Sequence, residues 1–372
     1  MSRFGPLDIM SLTAEHVPHD LAESLTPALR LRELLDVADA DPLAQLELGY
    51  GSPAGAPGLR ALLAQQHQVE ADDVVVTAGG MHALFLLVFQ TCSPGGHAIV
   101  TQPMFPLVRG ALDAVGAKVS VSQQSFDGRY ELDVADLQSR LTRLTRLVYL
   151  ATPQNPSGVA IPAATIETLA QTMLGVCPDA VLVVDETYRT ASFGTVIPPS
   201  LAGCARNVVV TSSLSKLHGA AGLRVGWAIT TNKPLRDRIL HAKYGTTISC
   251  SVLDETLAQR ILAEPAIAQG QRNHLAGNRA IAANWIASEP QVEWVAPDGG
   301  GLCCVRLKSH KSEDAGQRLR LAFRAAGGRV ANGEWFGDTT DVFRLGFGYL
   351  EPEDLTTALD ALSDALNASP DP

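Results

Sequence analysis

Thr211-Ser212-Ser213-Leu214-Ser215-Lys216-Leu217-His218-Gly219-Ala220-Ala221-Gly222-Leu223-Arg224-Val225-Gly226-Trp227 is the stretch that decides the reading of this chain. An apolar run, Val208-Val209-Val210, leads into small hydroxyl residues and one lysine; glycines, an arginine and a second apolar run follow. A lysine set between serines and glycines at a strand end can be desolvated, which frees its amine to act as a nucleophile. Taken alone, the same pattern also describes a surface loop with a solvated lysine.

The chain has 372 residues, enough for one large domain with a smaller one attached. Apolar residues make up 46% and charged ones 18%, so a sizeable core is expected and global disorder is not. Lysine and arginine number 29 against 39 acidic residues, a net charge of -10 without any basic block. That balance argues against a nucleic-acid or anionic-membrane partner. The six cysteines show neither C-x-x-C nor metal-ligand spacing, so no metal site is expected and a reduced, cytoplasmic protein is the simpler inference. No apolar run approaches membrane-spanning length.

From Asp72 onward, β-branched apolar runs alternate with helical patterns. Strands are expected at 74–76, 98–100, 119–121, 147–150, 181–184 and 208–210, and helices at 81–90, 106–115, 134–144 and 163–174. This is an α/β pattern: a mainly parallel sheet between helices, with ligands bound outside the C-terminal ends of the strands. The polar clusters fall at those ends. Before this region, residues 17–24 read as a loop and 27–37 as a short amphipathic helix; a turn-rich segment from Tyr50 enters a helix at 58–66. Beyond about residue 240, helices are expected at 253–264, 273–289, 316–326 and 352–366, and strands at 292–295, 303–307 and 342–347, with a loop at 332–337. These elements suit a smaller α+β domain, and residues 367–372 read as a frayed tail. The expected division is an arm with part of the small domain at 1–45, a large domain at 46–240 and a small domain at 241–372.

Individual residues add chemistry. Gly79-Gly80-Met81 opens a helix, where backbone N–H groups can approach a phosphate; a structural turn explains the glycines as well. Asp185 ends an apolar strand, an expensive place for a carboxylate unless it meets a cation or caps a helix. Arg344 lies mid-strand among apolar neighbours and must be paired, either with a buried acid of the protein or with a bound carboxylate.

The pattern S-x-S-K-x7-R-x-G at 213–226 resembles the cofactor-lysine segment of fold-type I pyridoxal-phosphate enzymes, the class I and II aminotransferases of the aspartate-aminotransferase superfamily. Thr152-Pro153-Gln154-Asn155-Pro156-Ser157-Gly158 is similar to the family's N-P-x-N-P-[TS]-G, with Thr152 and Gln154 as departures. Gln102-Pro103-Met104-Phe105 matches its P-x-[YFW], and Arg344-Leu345-Gly346-Phe347 its late R-[LIV]-x-F strand. The motifs run from Tyr50 to Arg344 in the family's order. The resemblance implies pyridoxal 5'-phosphate as cofactor and Lys216 as its Schiff-base lysine, with Asp185 on the pyridine nitrogen. It places Asn155 and Tyr188 at the phenolic oxygen, Phe105 stacked on the ring, and Gly80, Met81, Ser213 and Arg224 on the phosphate. Many relatives carry Ser or Thr where Met81 stands. Tyr50 is implied to reach the phosphate in a second subunit of a homodimer, and Arg344, near Asn155, to grip the substrate α-carboxylate.

The implied activity is transamination between an α-amino acid and a 2-oxo acid, with Asp185, Tyr188 and Lys216 as catalytic residues. An amino-acid lyase, cyclase, racemase or oxidase of the same fold is the alternative, since the shared motifs hold the cofactor only. A cofactor-bound effector domain of a transcription regulator is a third class, opposed by the intact lysine. The arm at 10–24 and the Trp335-Phe336 loop are implied to border the side-chain pocket, where His16, His19 and Glu23 leave room for a polar or cationic substrate.

Overall fold

The computed structural model describes residues 4–35, 43–308 and 314–368, and its two sheets account for nearly every strand expected from the apolar runs. In chain order the strands are β1 (His19–Leu21), β2 (Val74–Thr77), β3 (His97–Gln102), β4 (Lys118–Gln123), β5 (Thr145–Ala151) and β6 (Val181–Asp185). They continue with β7 (Val208–Ser213), β8 (Gly226–Ile229), β9 (Val292–Trp294), β10 (Leu302–Leu307), β11 (Gly328–Asn332) and β12 (Val342–Gly346).

The larger sheet has the order β2-β8-β7-β6-β5-β3-β4, and β8 alone runs against the rest. Its strands read as continuous apolar runs because both faces are covered. Alternate residues serve opposite faces: Val208 and Val210 join Leu182 and Val184 in one core, while Val209 joins Val183 and Tyr149 in the other. Each fully buried valine or leucine contributes about 1.5–3 kcal/mol. The helix Gly80–Thr91 lies on one face and the helix Ala163–Val176 on the other. Residue 240 lies inside the helix Lys233–Thr247, which packs on β2 and on Gly80–Thr91, and the helix Val252–Ala263 packs on Pro57–His67.

The smaller sheet, β1-β11-β12-β10-β9, draws on both ends of the chain. Helices Pro265–Ser288, Ala315–Ala325 and Pro352–Asn367 bury Trp285, Phe323 and Leu359 against it.

Several expectations are corrected. Residues 17–24 are not all loop: His19–Leu21 pairs in parallel with Gly328–Val330, a strand the sequence reading passed over. That pairing is tied down by Asp20, whose carboxylate receives Arg329 Nε at 2.9 Å and Nη2 at 2.6 Å. The helix expected over 27–37 is a single turn, Leu31–Leu34, with 36–37 outside the described residues. Upstream of that turn the backbone is engaged elsewhere: Leu29 N–H donates to Gly219 O at 3.0 Å, and Pro27 O accepts from Gln271. The helix expected over 134–144 stops at Ser139, where the Thr145 hydroxyl accepts from Thr142 N–H at 3.0 Å and offers the backbone a turn instead. The expected loop at 332–337 contains a 3-10 turn, Gly333–Phe336. The tail expected at 367–372 has 369–372 outside the described residues.

Candidate active site

The loops that follow β3, β5, β6 and β7 converge on a cavity of about 360 Å³ at the C-terminal edge of the larger sheet, closed from the other side by β12 and the N-terminal arm. Gly80, Met81, Phe105, Asn155, Asp185, Tyr188, Ser213, Lys216, Arg224 and Arg344 all line it. Tyr50 does not; its side chain is 84% exposed on the surface of this chain.

One end of the cavity is built for an anion. The first-turn N–H groups of the helix Gly80–Thr91 have no acceptor inside the helix, and its N-cap, Gly79, supplies no side chain. Ser213 and Ser215 face the same space, and the Arg224 guanidinium lies beside them, 3.5 Å from Ser215 Oγ. No carboxylate among the described residues pairs with Arg224. Gly79 has φ 79° and a Cβ there would stand 2.4 Å from Arg224 Nη2, so glycine serves both the backbone and the arginine head. Uncapped N–H groups, hydroxyls and an unopposed guanidinium are the donor set of a phosphate site.

Asp185 stands at another wall. It is partly buried, and its carboxylate accepts from Thr187 N–H at 3.0 Å, from Thr187 Oγ1 at 2.5 Å and from Tyr149 Oη at 3.2 Å. Burial pushes its pKa up, against the pull of those donors and of Lys216. No cation among the described residues bonds to it directly. Tyr188 Oη is buried without any hydrogen-bond partner among the described residues, the kind of orphaned group that a ligand oxygen satisfies. Lys216 Nζ lies 5.9 Å from the Tyr188 ring centre and donates to Ser24 Oγ at 2.8 Å. A cationic phosphate cradle, a carboxylate with no cation, an amine and an orphaned phenol around one space fit pyridoxal phosphate.

Arg344 is 1% exposed, yet no carboxylate pairs with it among the described residues. Nη1 donates to Asn155 Oδ1 at 2.9 Å and Nη2 to Ala22 O at 2.6 Å, its guanidinium lies 4.7 Å from the Phe336 ring centre, and Nε has no partner. Burial pulls its pKa down, opposed by Tyr188 and Glu23. A buried acid of the protein, the alternative left open above, is absent among the described residues.

Sequence reasoning missed Tyr149, Thr187 and Ser24 as partners of Asp185 and Lys216. Thr187 was readable, two residues beyond the aspartate; Tyr149 and Ser24 are brought in by strand pairing and by the arm. Gln154, a departure from the motif, joins a buried network with Gln124, Pro103 O at 3.0 Å and Ser157 at 2.5 Å, so the longer side chain braces the loop. Glu23 lines the cavity; His16, His19 and Trp335 do not. All six cysteines are free, and no helix among the described residues is long and apolar enough to cross a membrane.

The chain is 29% identical over 275 residues to the arginine–pyruvate transaminase AruH of Pseudomonas aeruginosa, covering 70% of this chain and 67% of that one. A solved PLP-dependent aminotransferase from Streptococcus suis superposes with a TM-score of 0.87 at 25% identity, covering 96% of this chain and 95% of its own. The PLP-dependent cyclase OrfR does so with 0.87 at 25% identity, covering 99% and 98%. The sequence matches the family described as aminotransferase class I and II over residues 9–362, and with that match this chain belongs to the class I and II aminotransferases, enzymes that depend on pyridoxal phosphate.

Proposed function

We propose that the protein moves the amino group of an α-amino acid to a 2-oxo acid, with Arg344 binding the substrate α-carboxylate and Lys216 carrying the proton at the carbon that bears the amine. The observation that supports this reading most is Arg344: a buried guanidinium with neither an Nε partner nor an acid to pair with among the described residues, beside Asn155 in the same cavity as Lys216. A planar fork of donors takes a carboxylate bidentately, which also orients the amine beside it.

When bound, pyridoxal phosphate supplies a ring that draws off the electron pair left at the substrate carbon. Gly80, Met81, Ser213 and Arg224 would hold its phosphate, Asp185 its ring nitrogen, Asn155 and Tyr188 its phenolic oxygen, and Phe105 one ring face. The Asp185 carboxylate, with no cation bonded to it among the described residues, would hold a proton at the ring nitrogen. Lys216 Nζ, released from Ser24 Oγ, takes the proton from the substrate carbon as a general base and returns it as an acid. Tyr188 Oη would donate to the phenolic oxygen, as would the Asn155 side-chain amide.

The two sheets are read as two domains, the larger extended past residue 240 to the end of the helix Val252–Ala263. The exposed Tyr50 supports a homodimer in which it completes the partner's phosphate site. Six free cysteines favour a reducing compartment such as the cytoplasm. The cyclase OrfR shares this frame, so the deciding experiment follows the cofactor itself. One equivalent of an amino acid should convert the bound pyridoxal form to the pyridoxamine form, and a 2-oxo acid should restore it. Conversion of substrate without any pyridoxamine form would assign a cyclase- or lyase-type outcome instead.

A further inference from the structure

After β1 the chain runs on as Ala22-Glu23-Ser24-Leu25-Thr26 along the side of the cavity. Three residues of this arm are pinned to the proposed machinery. Ala22 O accepts from Arg344 Nη2 at 2.6 Å, Ser24 Oγ accepts from Lys216 Nζ at 2.8 Å, and Thr26 Oγ1 donates to Lys216 O at 2.8 Å. The backbone of Glu23 is fixed as tightly, since a Cβ added to Gly346 would stand 1.8 Å from Glu23 O; only glycine lets β12 and the arm come so close. Glu23 itself is the exception. Glu23 lines the cavity, and its carboxylate has neither a hydrogen-bond nor an ion-pair partner among the described residues. The adjoining wall is apolar, with Ile9, Met10, Leu12 and Leu107.

An unpaired carboxylate on an immobile backbone, next to an apolar wall, suits a cation at the end of an aliphatic stem. We propose that Glu23 is the specificity-determining residue of this active site and selects amino acids with an ammonium or guanidinium side chain. The proposal rests on Arg344 taking the α-carboxylate. The competing role for Glu23 is a counter-charge for Arg344 and Arg329, both of which feel its charge from beyond ion-pair reach. The two roles differ in outcome: a counter-charge acts on every substrate alike, whereas a side-chain ligand acts only on basic ones.

The test uses the full-length holoenzyme and its Glu23→Gln and Glu23→Asp variants. Steady-state kcat/KM is measured for arginine and ornithine against norleucine, whose stem is apolar. Wild type should favour the basic donors. Glu23→Gln should lower their kcat/KM by about 10- to 100-fold while norleucine changes little, and Glu23→Asp should keep part of the preference. In parallel, calorimetry follows 5-guanidinopentanoate, which lacks the α-amine and cannot react, against hexanoate; Glu23→Gln should weaken only the former. Equal losses for basic and apolar ligands, or no loss at all, would overturn the proposal. If no donor forms the pyridoxamine form, the transaminase reading falls by itself, and the calorimetric difference still decides the role of Glu23.

Discussion

Asp185 and Glu186 are neighbours at the end of one strand, and they meet opposite environments. Glu186 is 2% exposed and closed by the protein: Arg189 Nε lies 2.8 Å from its carboxylate, Ser200 Oγ donates at 2.8 Å and Leu201 N–H at 2.6 Å. Behind it, His67 Nδ1 meets Ser200 Oγ at 2.7 Å. Asp185, on the other face of the sheet, has hydroxyls and one N–H but no cation among the described residues, and it borders a cavity. The same contrast recurs in the smaller sheet, where Arg329 is held bidentately by Asp20 and Arg344 by no acid among the described residues. A buried charge that the chain itself neutralises belongs to the fold. One that the chain leaves open points to a charge that arrives from outside.

Exchanging the two acids for amides gives the largest expected effects, in opposite currencies. Glu186→Gln leaves Arg189 buried without its counter-ion and should cost about 3 kcal/mol or more of folding stability, read by denaturant unfolding. Asp185→Asn should leave the stability of the cofactor-free protein unchanged or slightly higher, because burial already disfavours that carboxylate, and should abolish most turnover. Equal stability losses in both variants would erase the distinction.

Arg344→Lys keeps the charge and loses the fork, so kcat/KM for carboxylated donors should fall by about 2–4 kcal/mol. Amines without a carboxylate should be poor substrates of the wild type and lose little further. Equal losses for both classes would make Arg344 a structural cation like Arg329.

The smallest expected effect sits on the closed side. Burial, with Arg189 adding to it, pushes the His67 pKa down to about 3. The folded protein therefore keeps His67 neutral while the unfolded chain protonates it below its ordinary value near 6.5. Stability from this residue is complete above that value and is lost as the pH falls from 6.5 towards 3, about 2 kcal/mol by pH 5. His67→Gln should flatten the wild-type loss over that window; an unchanged acid slope would show that His67 is not its source.

Much of this arrangement was legible because it is local. β-branched runs such as Val208-Val209-Val210 announce strands buried on both faces, and the polar residues after each run are delivered to one edge by parallel topology. The convergence of residues as distant as Gly80 and Lys216 on one cavity follows from that rule, whereas Arg344 arrives from β12 of the smaller sheet. What stayed hidden depends on distant pairing. His19–Leu21 is a strand only because Gly328–Val330 lies beside it, and polar His19-Asp20 gives no periodic signal. Leu29 gives up helix because Gly219 O takes its N–H. The Ser24 bond to Lys216 and the unpaired state of Glu23 exist only once the arm has crossed the cavity.

The central claim is that the open side of the larger sheet holds pyridoxal phosphate on Lys216. Reducing the holoenzyme with borohydride and mapping the cofactor-bearing peptide by mass spectrometry tests it directly. The account predicts a single modified residue, Lys216, and its loss in Lys216→Ala, which should still bind the cofactor without covalent fixation. Attachment at Lys233, Lys243 or any other lysine, or undiminished turnover by Lys216→Ala, would contradict it.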